Sequence, residues 1–324
     1  MKITILGGGT GTFTALTGLK EHPELDLAAI VSCADNGGSS GVLRDELGVL
    51  PPGDIRQCLV ALADSGLELR GLLSFRFTEG PCAGHPMGNL ILSALDKMVG
   101  DPLEAVRVAQ RLFKVRGEVI PVSACATNLA VELADGSYVD GEHLIDSLRD
   151  AADIKRCFLR ESTPANPAAI RAIEESNLVV LGPGDLFTSI IPVLLVEGIR
   201  EALARTKARL LYVLNLATKP GHTEHFTAKR FCTELHHYLG DDVRYSALVN
   251  NEPPAPHLVD RYESAHERLV IDDLDPCDSR VVRRELLTKH IQSVVPGDRI
   301  QRSLLRHDPN KLAGAILEFA SFSR

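Results

Sequence analysis

The sequence predicts an α/β protein with a Rossmann-like, doubly wound and mainly parallel sheet that carries a small antiparallel insert. Short apolar runs without polar alternation are separated by amphipathic stretches, as in strands that helices cover on both faces. Glycine-rich turns follow several of these runs, and one segment carries hairpin signals. We expect one domain over residues 1–324, with a β-containing insert at about 115–162.

These patterns assign the individual strands and helices. Residues 119–122 and 129–133 precede the turn dipeptide Asp135-Gly136 and are assigned to the antiparallel insert. Residues 272–298 have little periodicity, so no element is predicted there. The parallel strands are predicted at residues 3–6, 27–32, 178–181, 210–214 and 246–250, and helices at 12–20, 90–98, 190–204 and 309–322.

Composition excludes several classes of function. The net charge is −8 and no basic cluster occurs, so a nucleic acid or an anionic membrane surface is not expected as the main partner. The seven cysteines lack C-x-x-C spacing, which argues against a zinc site or a disulfide framework. No apolar run approaches the length of a membrane span, and Met1 leads directly into a strand. We expect a cytoplasmic protein without membrane insertion.

The turn after the first strand is the first candidate ligand site. The residues from Gly7 to Thr12 read GGGTGT and lie where a helix begins, so backbone N–H groups at a positive helix end would face an anion. Gly8 and Gly11 would let the backbone approach a phosphate, and Thr10 and Thr12 would add hydroxyl donors. The spacing lacks the third glycine of G-x-G-x-x-G, which weakens the alternative of an NAD site. A tight turn without a ligand is the other alternative.

The second turn, from Asp35 to Gly41, follows the second strand and should lie at the same edge of the sheet. Its candidate ligand residues are Asp35, Gly37, Gly38 and Ser39, although Asp35 could instead cap the turn locally. Asp54 begins a helix after two prolines and is either an N-cap or a ligand group. Asp35 and Asp54 are the candidate metal pair, because carboxylate oxygens next to phosphates are typical ligands of Mg²⁺.

Further candidates lie in four later turns. His85 could be a general acid or bind phosphate, although a loop histidine is more often structural, and Asn89 could cap a helix or bind a hydroxyl. A glycine turn after the strand at 178–181 has the same strand, turn and helix arrangement as the first turn. Lys219 offers a positive charge. Arg306 could reach a pyrophosphate or could be an ordinary surface residue. The candidates in these turns are His85, Asn89, Gly182, Gly184, Thr188, Lys219 and Arg306.

Seven motifs occur in one order along nearly the whole chain. They are GGGTGT, DNGGSSGVLRDEL, PPGDIRQCL, GHPMGN, LGPGDLFTSIIP, NLATKPGHT and RHDP. In this set and order the chain resembles the gluconeogenesis factor family (YvcK-like proteins), which is related to the 2-phospho-L-lactate transferases of deazaflavin cofactor synthesis (CofD-like). The sequence departs from the family pattern at Asn36, where an aspartate is usual, and at Asp185, Phe187 and His222.

The resemblance implies a Rossmann-like fold, a cytoplasmic location and a nucleotide ligand of the UDP-N-acetylglucosamine type, with a role in cell shape and in cell-wall and carbon metabolism. It also adds Tyr262 to the ligand candidates. We expect a binding protein with no catalytic residue, no certain cofactor, a possible homodimer and an unidentified downstream protein partner. The alternative is an enzyme that uses Mg²⁺ to transfer a phospho-acid group from a nucleoside-diphosphate-linked donor to a deazaflavin-type acceptor. A dehydrogenase and a scaffold without ligand rank below these two.

Overall fold

Within the described residues, the main sheet has seven strands, all parallel. The computed structural model describes residues 1–64, 67–149, 153–254, 268–288 and 305–321, together with Pro256 and Val259. The strands in chain order are β1 Lys2–Gly7, β2 Asp26–Val31, β3 Glu118–Pro121, β4 Leu129–Leu133, β5 Tyr138–Asp140, β6 Ile154–Leu159, β7 Leu178–Leu181, β8 Arg209–Val213, β9 Ser246–Asn250 and β10 Val281–Arg284. The main sheet has the order β10-β9-β8-β7-β1-β2-β3, and β5-β4-β6 form a small antiparallel sheet.

Helices cover both faces of the main sheet, as the apolar strands require. In chain order they are α1 Gly9–Leu19, α2 Gly38–Leu47, α3 Pro52–Leu62, α4 Leu67–Ser74, α5 Met87–Val99, α6 Pro102–Leu112, α7 Glu142–Asp146, α8 Pro167–Glu174, α9 Ile191–Leu194, α10 Ile199–Arg205, α11 Ala228–Leu239 and α12 Pro309–Ser321. No helix in these described ranges is both long and apolar enough to cross a bilayer.

The strand order reverses between β1 and β7. From β1 the chain moves outward through β2 to β3, and it then returns to β7 and continues outward through β8 and β9 to β10. Ile3 of β1 pairs with Leu27 on one side and with Leu178 on the other. In open α/β sheets the ligand crevice lies at the carboxyl ends of the two strands where the order reverses. The ligand crevice is therefore expected at the turns after β1 and β7.

The core forms because the central strands are buried on both faces. Ile3 and Ile5 are completely buried, and so is Tyr212 of β8. Helix α1 packs against both α3 and α12. Gly18 makes the last contact possible, since a Cβ on it would lie 2.0 Å from the carbonyl oxygen of Pro309. The predicted α/β fold, its five parallel strands and its small antiparallel sheet are confirmed.

Two predicted elements are wrong in detail. Residues 119–122 do not belong to the antiparallel insert, because β3 pairs in parallel with β2 at the edge of the main sheet. The hairpin across Asp135-Gly136 is formed instead by β4 and β5. The single helix predicted over 190–204 is broken into a π-helical turn at Leu186–Ile190 followed by α9 and α10. Gly198 lies at the second break with φ +94°, a conformation that ends a helix and that glycine adopts without strain.

Candidate functional site

The turns after β1 and β7 lie against each other at the reversal of strand order. A Cβ on Gly11 would lie 2.2 Å from the carbonyl oxygen of Pro183, and one on Gly184 would lie 3.7 Å from the carbonyl oxygen of Gly8. Helix α1 begins here, and its N-cap residue Gly8 provides no side-chain acceptor for the first backbone N–H groups. These N–H groups and the positive end of the helix dipole form a surface suited to an anion.

The two candidate metal ligands flank the start of α3, next to this surface. A Cβ on Gly8 would lie 2.2 Å from Oδ2 of Asp54, and one on Gly53 would lie 2.9 Å from Oδ2 of Asp35. The backbone N–H of Gly53 donates to Oγ of Ser40 at 3.1 Å, and this bond fixes α2 against α3. The predicted pair is therefore brought together. Within the described residues, no group of three or more His, Cys, Asp or Glu side chains has the arrangement of a metal site.

Two further carboxylates reach the same place from the antiparallel sheet. Helix α7 follows β5 and carries Glu142 and Asp146. Burial raises the pKa of Asp35, and the negative charge of Asp146 adds to this effect. Burial also raises the pKa of Glu142 well above its usual range, and the charges of Asp35, Asp146 and Asp54 raise it further. The cluster therefore binds protons more readily than isolated carboxylates do, and it would favour hydroxyl donors or a cation.

Lys219 neutralises part of the negative charge of this cluster. Its Nζ lies 2.5 Å from Oδ1 of Asp146 and 2.6 Å from Oδ2 of Asp185. Burial opposes the charge of Asp185, yet the ammonium group of Lys219 holds the pKa of this carboxyl below its usual value. Asp185 thus meets a lysine, which accounts for a negative charge in a turn predicted to bind phosphate. The charge of Lys219 is correspondingly shared with two carboxylates.

Three neighbouring contacts join α7 to the main sheet. Oγ1 of Thr188 donates to Oδ1 of Asp146 at 3.4 Å, and Nε2 of His222 lies 2.7 Å from the carbonyl oxygen of Ile145. The backbone N–H of His143 donates to Oδ1 of Asn36 at 2.8 Å. Asn36 therefore anchors α7 to the second glycine turn.

A chain of four polar side chains includes Ser39 of the second glycine turn. Nε of Arg56 donates to Oδ1 of Asn89 at 2.9 Å, and Nδ2 of Asn89 donates to Oγ of Ser39 at 3.0 Å. Oγ of Ser39 lies 2.8 Å from Nδ1 of His85. Asn89 is buried, whereas Ser39 and His85 are half-buried. Three predicted site residues are thus connected in one network.

The remaining predicted residues have different surroundings. Thr12 is completely buried beneath the first turn, where its hydroxyl has no hydrogen-bond partner in the described part of the chain. Gly182 is buried against Ile190 and Val213. Thr10 and Gly37 are half-buried and Gly38 is exposed, all within the two glycine turns. Tyr262 lies outside the described residues.

Arg306 belongs to a segment that pairs with residues 286–288, shortly after the end of β10. Its carbonyl oxygen accepts from the N–H of Thr288 at 3.0 Å, and the next residue, His307, forms a bridge with Leu287. Asp308 caps α12 by accepting from the N–H groups of Asn310 and Lys311 at 2.9 and 3.1 Å. The described contacts of this segment thus connect it with β10 and α12.

Sequence reasoning missed Glu142, Asp146 and Arg56. The first two lie on a helix of five residues inside the antiparallel insert, more than 100 positions from Asp35, and no local motif marks them. Arg56 lies two residues after Asp54 within the motif PPGDIRQCL, so that motif was a usable signal.

Comparisons with known proteins agree with the fold and with the motifs. The family model described as 2-phospho-L-lactate transferase CofD matches residues 3–289. The chain is 39% identical over 316 residues to the "Putative gluconeogenesis factor" of Thermotoga maritima, covering 98% of both proteins. It is 38% identical over 322 residues to the "Gluconeogenesis factor" of Bacillus subtilis, covering 98% of this chain and 97% of that protein.

A solved structure confirms the architecture. The crystal structure of a UPF0052 family member from Bacillus halodurans superposes with a TM-score of 0.89 at 34% identity, covering 98% of this chain and 99% of that one. The family model, the relatives and this structure all extend over most or nearly all of the chain. The chain therefore belongs to the CofD/UPF0052 family, and its relatives within that family carry the name gluconeogenesis factor.

Proposed function

We propose that this protein binds a nucleoside-diphosphate-linked sugar, of the UDP-N-acetylglucosamine type, in the crevice between β1 and β7. The observation that carries the proposal is the contact of the two glycine turns at the reversal of strand order, where Gly11 lies against Pro183. In such sheets a pyrophosphate occupies this position, with backbone N–H groups as its donors.

The charges around the crevice support a sugar next to the pyrophosphate. The surface formed by α1 carries donors and no side-chain carboxylate of its own, so it suits the phosphates. Glu142 and Asp146 of α7 lie close enough to Asp35 for their charges to interact, and carboxylates accept hydrogen bonds from sugar hydroxyls. A ligand with an anionic part and a hydroxyl-rich part would match both regions.

Isothermal titration with UDP-N-acetylglucosamine tests the proposal. Saturable binding is expected, and at about 100 times Kd the ligand should add roughly 2.7 kcal/mol to the free energy of unfolding. Separate titrations with UDP and with N-acetylglucosamine show which half of the crevice contributes to the affinity. Absence of both heat and thermal stabilisation at millimolar ligand would exclude this ligand.

The proposal also includes a cellular role, which the names of the relatives support only for carbon metabolism. Relatives over the whole chain are named gluconeogenesis factors, which fits a regulatory protein that senses a nucleotide sugar in the cytoplasm and affects carbon metabolism, cell-wall synthesis and cell shape. A strain without this protein should grow normally on glucose and poorly on gluconeogenic carbon sources. A Gly11→Ala variant should fail to restore growth, whereas Gly314→Ala should restore it.

A second candidate function is transfer of a phospho-acid group to a deazaflavin-type hydroxyl. The matching family model carries the name 2-phospho-L-lactate transferase, and Asp35 and Asp54 lie next to the anion surface. Two carboxylates fit a Mg²⁺ ion that takes its other ligands from phosphates and water, and such an ion would neutralise developing charge. The acceptor hydroxyl would displace a nucleoside monophosphate and lose one proton. Nucleotide release that requires Mg²⁺ and acceptor and that Asp54→Asn abolishes would support this function; release unchanged in that variant would refute it.

A further inference from the structure

We propose that Ser39 is a nucleophile that His85 activates toward tetrahedral phosphorus esters. Oγ of Ser39 and Nδ1 of His85 are 2.8 Å apart, both residues are half-buried, and Ser39 lies in the first turn of α2. A serine whose proton is held by a histidine is the common arrangement for an activated hydroxyl. This inference goes beyond ligand binding, and it does not depend on which nucleotide occupies the crevice.

The hydrogen-bond network places the serine oxygen between the amide group of Asn89 and the ring of His85. The guanidinium group of Arg56 is a donor only, so the atom of Asn89 that it contacts must be the carbonyl oxygen. The amide nitrogen of Asn89 then faces Ser39 and donates to Oγ. Oγ accepts this bond and keeps its own proton, which it donates to Nδ1 in the tautomer of His85 that carries its proton on Nε2. In that tautomer Nδ1 is an acceptor, as a general base requires.

The backbone around Ser39 leaves room for a substrate. Residues 37–41 read Gly-Gly-Ser-Ser-Gly, which has the G-x-S-x-G spacing of nucleophile turns, although β2 ends earlier, at Val31. Gly38 has φ +46°, and a Cβ on it would meet no atom within 4 Å. Ser39 lies in the first turn of α2, where backbone N–H groups lack intrahelical acceptors and can stabilise negative charge on a phosphoryl oxygen.

The reaction balances without a further co-reactant. Oγ of Ser39 attacks phosphorus, the Oγ–P bond forms, and the hydroxyl proton moves to Nδ1 of His85. The P–O bond to the leaving alcohol or phosphate breaks, and that oxygen departs with the bonding electron pair and takes up the proton from His85. The product is a phosphoserine at position 39, which water can later hydrolyse.

Reaction with a fluorophosphonate tests the proposal without a nucleotide ligand. This neutral probe forms the same Oγ–P bond and releases fluoride. Intact-mass and peptide mass spectrometry should find one adduct on Ser39 of the wild type and none there in Ser39→Ala. His85→Gln should slow labelling by roughly 100-fold, the contribution typical of a general base. Ser137→Ala is the matched control, because Ser137 is exposed and donates to the carboxylate of Asp135, with no histidine at its oxygen; it should label like the wild type.

Two results would overturn the proposal. One is the absence of an adduct on Ser39 at probe concentrations that modify other side chains, and the second is labelling of His85→Gln at the wild-type rate. Thermal melts establish that each variant is folded. If His85→Gln does not fold, Ser39→Cys provides a second measurement in an otherwise native site. Its thiol should react with iodoacetamide about tenfold faster than the exposed Cys125 of the same chain, whereas equal rates would contradict activation by His85.

Discussion

Lys219 is the residue at which the turns after β7 and β8 meet helix α7. Its two ion pairs connect Asp185, in the turn after β7, with Asp146 of α7. The side chain of Lys219 is 28% exposed, and those of Asp146 and Asp185 are 33% and 42% exposed. Water therefore reaches these pairs, and their strength lies between that of surface pairs and that of buried pairs.

Lys219→Met should destabilise the protein by about 2 kcal/mol, since it leaves two partly buried carboxylates without a counter-ion. The pKa of Asp185, which the lysine holds low, should rise in this variant. Urea denaturation measures the change. In the Lys219→Met background, Asp185→Asn should restore part of the lost stability because it removes one unpaired charge. If both single variants and the double variant were as stable as the wild type, the ion pairs would contribute nothing to stability.

His307 gives the second prediction for a single residue. It is 9% exposed, its Nε2 has no hydrogen-bond partner among the described residues, and burial lowers its pKa to about 4. The unfolded chain protonates this histidine near pH 6.5, so between the two pKa values it binds more protons than the folded protein. The stabilising contribution is therefore complete at neutral pH and is lost as the pH falls through 6.5 toward 4.

The expected loss from this one group between pH 8 and pH 5 is about 2 kcal/mol. His307→Gln keeps a polar side chain of similar size that does not titrate, so its free energy of unfolding should fall less over this range. Denaturation curves of both proteins at each pH measure the difference, and other titrating groups cancel in the comparison. Parallel pH profiles would show that His307 is not buried in its neutral form.

At the scale of the elements, the contact between the start of α1 and the turn after β7 forms the crevice. Gly11→Ala places a Cβ 2.2 Å from the carbonyl oxygen of Pro183, so one of these backbones must move. We expect a loss of stability of about 2 kcal/mol and at least tenfold weaker binding of UDP-N-acetylglucosamine, measured by thermal melts and titration. Unchanged affinity in a folded Gly11→Ala protein would show that the ligand does not bind at this turn.

Gly314→Ala is the matched control for that substitution. Gly314 lies within α12, and a Cβ on it would meet no atom within 4 Å. Alanine favours a helix over glycine by about 1 kcal/mol, so this variant should be slightly more stable and should bind normally. A loss of binding in this variant would mean that the effect of Gly11→Ala is not local.

The elements also show what the sequence could predict. Strands β7 and β9 were predicted with their observed bounds, because runs that are apolar on both faces are characteristic of buried parallel strands. β3 was assigned to the wrong sheet because its four residues pair with β2, which is distant in the chain. In the site, the glycine turns are local and were predicted, whereas Glu142 and Asp146 reach Asp35 only through the path of the antiparallel sheet.

For the whole molecule, the outer edge of the main sheet at β3 is closed by side chains. Nε2 of Gln110 donates to the carbonyl oxygen of Val119 at 3.2 Å, and the N–H of Val119 donates to Oε1 of Gln110 at 2.8 Å. The carbonyl oxygen of Pro121 accepts from Nδ2 of Asn166 at 3.1 Å, and proline has no N–H. Strand addition at this edge would require these bonds to break, so a homodimer should use another surface.

Gln110→Ala should increase self-association, because it exposes the N–H and carbonyl groups of Val119 to a second chain. Sedimentation velocity over a range of protein concentrations measures this, and we expect the weight-average sedimentation coefficient of the variant to rise above that of the wild type. Arg107→Ala is the control on the same helix. Arg107 is exposed and forms an ion pair with Glu104, so its loss leaves the backbone of β3 covered. If both variants sedimented like the wild type at every concentration, the side-chain bonds of Gln110 would not be what protects this edge from pairing.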